Sequence, residues 1–393
     1  MTDSSRWLLP EGIEEVLPGQ AKRVEYLRRQ LLDLYHSWGY ELVMPPFIEY
    51  LDSLLTGTGN DLDLQTFKLT DQLNGRMMGV RADMTPQIAR IESHTLKRDV
   101  PTRLCYMGTV LRTRPLELGG PRSPLQVGAE LYGHSGAQSD VEVILLMVES
   151  LAIVGVKDVL VDLGHVGIFR ALSQEAGLNK AQEAELFDIL QRKSVPELGD
   201  FLAELDTTQT NKSKLAALCD LNGGKDVLDQ AVEIFQDCGK PLIQAIDDLK
   251  LVAEMLGSRL PSLEIHYDLA ELRGYHYHTG VVFAAYSTGR GQAVAQGGRY
   301  DNIGGEARPA TGFSADLKQL IRLSGEDVAS YNKAVLVPWD NDAALQDAVN
   351  ELRAQGERVI QLLPGQQGGG SAMDCDRELI RQDGGWQVVP LTS

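Results

Sequence analysis

Cysteine is scarce in this chain. Cys105, Cys219, Cys238 and Cys375 are the only four; they lie far apart and none forms a C-x-x-C pair. That excludes a disulfide framework and a cysteine-built zinc site, and it fits a reducing, cytoplasmic setting. Histidine is also sparse, at seven residues. His276 and His278 form an H-x-H pair, but no third Cys, His or carboxylate stands at matched spacing, so neither a metal nor a cofactor is expected. No apolar run approaches the length of a membrane-spanning helix, and Met1 to Pro10 has no apolar leader core. Positive charge is short as well: 37 Lys and Arg face 55 Asp and Glu, a net charge of −18. Affinity for a nucleic-acid backbone comes largely from neutralised phosphates, so tRNA is not an expected partner.

What is present is apolar bulk and regular patterning. Hydrophobic residues make up 43% of 393, enough for a substantial core and two or three domains. Gly19 to Trp38 reads as an amphipathic helix, with Val24, Leu27, Leu31, Leu34, Tyr35 and Trp38 on one stripe and Gly39 as a stop. A short extended run, Tyr40 to Met44, ends at Pro45-Pro46. Leu104 to Tyr132 switches to period two, which predicts strands over about 103–112 and 124–132. The loop between them holds Pro115, Gly119, Gly120 and Pro121. A helix over 138–154 and a strand over 158–163 follow.

Residues 165–260 are helical in pattern and broken at Gly177, Gly199 and Gly223-Gly224, so they read as an insertion between 1–164 and 261–328. In the second of these, strands are predicted at 264–268, 280–286 and 291–295. Gln296 to Asp301 is predicted as a turn, and Ser314 to Leu323 as a helix. The tail, 329–393, starts afresh as β-α-β, with strands at 334–338 and 358–363 around a helix at 342–354. The loop Pro364 to Ser371 holds four glycines.

Four segments carry a family resemblance. Arg81-Ala82-Asp83-Met84-Thr85 resembles the R-P-E-G-T segment of histidyl-type class II aminoacyl-tRNA synthetases, and Leu125 to Glu130 resembles their F-x-Q-x-G-x-E strand. Arg273-Gly274-Tyr275-His276-Tyr277 is similar to R-G-L-D-Y, and Gly297 to Asp301 matches G-G-R-Y-D. The resemblance covers about 6–325 and implies an α+β fold: an antiparallel sheet core flanked by helices, with a helical insertion and a small α/β tail. Two further segments, Leu9 to Pro18 and Arg81 to Arg90, resemble a particular branch. It is the synthetase paralogue that partners the short-form catalytic subunit of ATP phosphoribosyltransferase, which joins ATP to phosphoribosyl pyrophosphate at the start of histidine biosynthesis.

Adenylation needs cationic groups on the nucleotide phosphates. Arg112 fits the family's first arginine. At the second, in the segment Gly312 to Gln319, the expected arginine is Gln319 and an expected glycine is Asp316. Arg114 stands where the loop pattern has Glu. Losing such groups typically costs a few kcal/mol of transition-state stabilisation each, so catalysis of adenylation is not expected.

The amino-acid end is better kept. Gln126 and Glu130 are four apart on a strand and share a face. By resemblance, Asp83, Thr85 and Gln126 would hold an α-amino group, Glu130 an imidazole and Arg273 a carboxylate. Tyr277 would line the pocket and Arg112 complete the candidate histidine site. Asp83 is shorter than the family's Glu, and His278 stands where the family has Tyr. The same residues also suit a satisfied hydrogen-bond network without a ligand. The branch resemblance implies a non-catalytic regulatory subunit, dimeric through its core, with histidine as effector. An active histidyl-tRNA synthetase, or a pseudo-synthetase sensing tRNA or another ligand for a different partner, stay open at this stage.

Overall fold

A computed structural model describes residues 7–57, 60–115, 120–275, 277–288, 291–301, 308–324, 333–366 and 369–391. Gly119, His276 and Gly368, used in the sequence reading, lie outside them. The chain divides into two compact units, Met1–Glu326 and Asp327–Ser393.

The first unit is built on a nine-stranded sheet. Its order is Glu41–Leu42, Thr102–Thr109, Leu125–Tyr132, Ala310–Asp316, Ala293–Tyr300, His278–Ser287, Val159–His165, Glu264–Asp268 and Asn222–Gly223. The run from Thr102–Thr109 to Val159–His165 is antiparallel throughout. The first edge strand and the pairing of Val159–His165 with Glu264–Asp268 are parallel. A separate three-stranded sheet joins Ile48–Tyr50, Met77–Val80 and Phe67–Thr70.

Helix Pro18–Ser37 forms as its spacing predicts, with Pro18 in the first turn, where the missing N–H costs nothing. It buries Leu27, Leu31, Leu34 and Tyr35, each contributing about 1.5–3 kcal/mol by leaving water. Helix Ala137–Val154 carries ten buried residues and ends at Gly155, whose φ of 85° favours a residue without Cβ. Six helices lie between Val166 and Arg259, the last and longest being Lys240–Arg259.

Two local expectations are corrected. Gln296 to Tyr300 is not a turn but the end of strand Ala293–Tyr300. Its glycines answer close approach: a Cβ on Gly297 would strike the backbone oxygen of Gly312 on the neighbouring strand. Ser314, Ala315 and Asp316 are strand rather than helix, and helix Leu317–Leu323 begins after Asp316. Arg273, Gly274, Tyr275 and Tyr277 lie in a turn ahead of strand His278–Ser287. Gly274 has φ of 63°, and its carbonyl accepts from the N–H groups of Tyr277 and His278, at 2.9 and 2.8 Å.

The second unit has a four-stranded sheet in the order Val359–Gln361, Ala334–Val337, Cys375–Gln382, Gly385–Pro390. Helix Ala343–Ala354 packs Leu345 and Val349 onto Val335, Val337 and Leu379. The predicted β-α-β start is present, and an antiparallel hairpin extends it.

Candidate binding site

The strands Leu125–Tyr132, Ala310–Asp316, Ala293–Tyr300 and His278–Ser287 form the floor of a cavity of about 280 Å³. Of the seven candidate residues, it brings together six: Asp83, Thr85, Arg112, Glu130, Arg273 and Tyr277. Gln126 is not among the lining residues. Both ends of its amide are spent behind the wall: Oε1 accepts from the Met84 N–H at 2.9 Å and Nε2 donates to Asp83 Oδ1 at 3.0 Å.

Glu130 sits at the bottom, 2% exposed. The Tyr106 hydroxyl donates to its Oε1 at 3.0 Å, Thr85 Oγ1 to the same oxygen at 3.2 Å, and the Tyr300 hydroxyl to Oε2 at 2.9 Å. Burial is the larger influence all the same and pushes the carboxyl up to about 8, against the pull of these hydroxyls. The floor is bare beneath it, since Gly312 is its register partner on the next strand.

Asp83 and Thr85 belong to the entry of helix Thr85–Arg90. Asp83 Oδ1 accepts from the Thr85 N–H at 2.8 Å, which fixes the carboxylate at the helix start. Arg81, from the same motif, is structural: Nε donates to the Thr109 carbonyl and Nη1 to the Pro45 carbonyl, both at 2.9 Å.

Across the cavity, Arg273 Nη2 donates to the Tyr286 hydroxyl, and the Glu271 carboxylate lies 3.6 Å away. Its Nη1 is buried without a hydrogen-bond partner. A buried, unpaired guanidinium nitrogen is costly, so an anionic group entering here would be well received. His278 stacks near Tyr277, centroids 4.0 Å apart, and its Nδ1 lies 3.1 Å from the Arg273 carbonyl. Burial pushes this imidazole down to about 4, so at neutral pH it is uncharged and holds the turn by donation.

The adenylation end is differently furnished. Asp316 is the N-cap of helix Leu317–Leu323; its Oδ1 accepts from the N–H groups of Lys318, at 3.1 Å, and Leu125, at 3.0 Å. Lys318 turns inward and gives its ammonium to the Ser123 carbonyl at 2.7 Å. Arg112 donates from Nε to the Ala82 carbonyl at 3.3 Å. Arg114 is exposed, and neither it nor Gln319 lines the cavity. Arg299 of the G-G-R-Y-D segment points to the other side of the sheet, where it binds Asp140 at 2.9 Å, while Tyr300 faces Glu130. Among the described residues no group of His, Cys, Asp and Glu is arranged to hold a metal.

Sequence reasoning missed the lining residues Phe187, Gln296 and Ser314, and Tyr106, which supports Glu130 from behind. Tyr106 had a signal: it pairs in register with Gly128, where the absence of a side chain leaves room for a ring. Phe187 had none, because it comes from helix Lys180–Gln191 in the insertion.

The comparisons with known proteins agree with this layout. A family model described as histidyl-tRNA synthetase matches residues 12–320. A second, described as the C-terminal domain of the ATP phosphoribosyltransferase subunit HisZ, matches 332–389. The chain is 60% identical to an ATP phosphoribosyltransferase regulatory subunit of Thioalkalivibrio sulfidiphilus, and 55% identical to one of Alkalilimnicola ehrlichii. Both chains are covered completely in each case. Among solved structures, an ATP phosphoribosyltransferase regulatory subunit/histidyl-tRNA synthetase from Bacillus halodurans superposes with a TM-score of 0.83 at 28% identity, over 95% of this chain and 97% of that one. A histidyl-tRNA synthetase from Nostoc, at 20% identity and a TM-score of 0.77, covers 95% of this chain and 91% of its own and shares the fold. The chain belongs to the ATP phosphoribosyltransferase regulatory subunits, a non-catalytic family of histidine biosynthesis built on the histidyl-tRNA synthetase framework.

Proposed function

We propose that this chain senses histidine in the cavity above Glu130 and passes its occupancy to a short-form ATP phosphoribosyltransferase catalytic subunit. The observation that carries this is the pairing, in one cavity, of a buried carboxyl at the floor with a buried, unpartnered Arg273 nitrogen at the wall. A molecule with an imidazole at one end and a carboxylate at the other satisfies both. Asp83 then faces the ammonium, oriented by Gln126 and the Thr85 N–H, with Thr85 Oγ1 beside Glu130 and Tyr277 alongside. Arg112 stands at the far end, where the adenylating groups are replaced.

In this reading the chain recognises histidine without activating it. It assembles as a dimer through its core; Leu42, Met44, Phe47 and Ile48, 39 to 75% exposed next to an edge strand, supply apolar surface for that contact. Its setting is cytoplasmic, in keeping with four free cysteines. The net charge of −18 supports the absence of a tRNA partner.

Calorimetric titration of the isolated chain with histidine tests the binding. Saturable binding that is lost in Arg273→Ala and Glu130→Ala is expected. Absence of binding to the wild-type chain, or binding untouched by both substitutions, contradicts the reading.

A further inference from the structure

Arg273, Gly274, Tyr275 and Tyr277 line the cavity, and their turn is also where the helical insertion grips the sheet. Tyr275 is the pin. Only 7% of it is exposed. Its ring meets Phe169 edge-on at 5.1 Å between centroids, and Phe187 at 5.5 Å with 36° between the planes. The Arg170 guanidinium lies over the same ring at 4.8 Å, and Arg170 Nη2 donates to the Tyr275 carbonyl at 2.7 Å. The Tyr275 hydroxyl donates to Glu183. Phe169 and Arg170 belong to helix Val166–Glu175, Glu183 and Phe187 to helix Lys180–Gln191. Two helices of the insertion are thus anchored on one side chain.

Phe187 and Tyr275 themselves line the cavity beside Arg273 and Tyr277. The turn is internally stiff, because the Gly274 carbonyl accepts from the N–H groups of Tyr277 and His278. A displacement at Arg273 is therefore carried to Tyr275 rather than absorbed between them. Lys193, just beyond the second of these helices, also pairs with Asp268 at the end of strand Glu264–Asp268; the Lys side chain is 55% exposed and the Asp side chain 6%.

We propose that Tyr275 is a positioning residue that couples occupancy of the cavity to the docking of helices Val166–Glu175 and Lys180–Gln191, with Phe187 as the wall that closes on the bound molecule. This rests on the histidine reading above and supplies its route out of the pocket. Coupling of this kind requires that the bound molecule favour one docking state over another. Contact with Phe187 gives that preference, since only the docked helix offers the ring.

The test uses the full chain with its catalytic subunit, and three readouts: histidine affinity by calorimetry, hydrogen exchange over Lys180–Gln191, and inhibition of the complex. In the wild type, histidine slows exchange in that helix and inhibits, with a coupling factor of about 5 to 150. Tyr275→Phe keeps the ring and removes the hydroxyl. It is expected to bind histidine within about tenfold of wild type, the scale of one hydrogen bond, while the protection is lost and the coupling factor falls toward one. Glu183→Ala, which leaves the cavity lining intact, is expected to behave the same way. Glu183→Gln retains an acceptor and is expected to restore coupling. Variants that bind histidine and show undiminished protection and inhibition overturn the proposal and leave the histidine reading standing. A wild-type chain that does not bind histidine removes that reading, and this inference with it.

Discussion

Glu130 and Gly312 face each other across adjacent strands, and the carboxylate lies so close over the glycine that a Cβ there would overlap Oε2. A glycine at this place is a condition for the buried acid, not a flexible joint. Gly312→Ala should therefore displace Glu130 or push the two strands apart. Overpacking of this kind typically costs about 1–3 kcal/mol, and the pocket loses its floor group. Urea denaturation should show the destabilisation, and calorimetry should show histidine binding abolished in whatever fraction remains folded.

Glu130 also sets a pH dependence. Its folded value, about 8, lies above the ordinary 4.5 because burial disfavours the charged form. The folded protein holds this proton where the unfolded chain releases it. The associated stability is complete below about pH 4.5 and is lost as pH rises through about 8. Glu130→Gln, which cannot ionise, should lose less stability than the wild type between pH 6 and 9, by roughly 3 kcal/mol at most. Parallel stability curves for the two proteins would count against a buried neutral acid.

His278 acts in the opposite direction. Burial holds it down at about 4 instead of 6.5, so it favours folding above about pH 6.5 and that contribution fades as pH falls through 4. Replacement by Asn, which keeps a donor for the Arg273 carbonyl, should flatten the acid limb of the stability curve between those values. Thermal melts from pH 4 to 7 check this.

Asp316 is a helix cap, not an isolated charge in a nucleotide site. Asp316→Ala should cost about 0.5–2 kcal/mol through the lost cap and should not create ATP–pyrophosphate exchange. Gln319→Arg alone should not create it either, because Lys318 and Asp316 remain engaged with Ser123, Leu125 and their own backbone. Exchange in either variant, or in the wild type near the usual enzymatic median of about 10 per second, would contradict the loss of activation chemistry.

Strands and helices with an apolar period were legible in the sequence, the helix Pro18–Ser37 most plainly. So was the shared face of Gln126 and Glu130, a consequence of two-residue periodicity alone. What was not legible is which polar group is spent: Gln126 turns out to orient Asp83, and only the backbone N–H of Met84 makes that so. Glycines misled the reading at Gly297-Gly298, because close approach between strands and a tight turn leave the same mark in a sequence. The reverse error occurred in the tail. Asp383-Gly384 turns with φ of 50° and 83° between the last two strands; a D-G pair is among the strongest hairpin signals, and it went unread. Phe187 reaches the cavity through tertiary packing of the insertion, which no local pattern encodes.

The decisive measurement is inhibition of the reconstituted complex by histidine, with wild-type and Glu130→Ala chains, while light scattering follows assembly. The wild-type chain should raise phosphoribosyltransferase activity of the catalytic subunit, and histidine should suppress it. In the Glu130→Ala complex the inhibition curve should shift to higher histidine by about 5- to 150-fold, the cost of leaving a buried hydrogen-bonding group unsatisfied, with assembly unchanged. An intact mutant complex inhibited at the wild-type concentration of histidine would show that the sensor lies elsewhere.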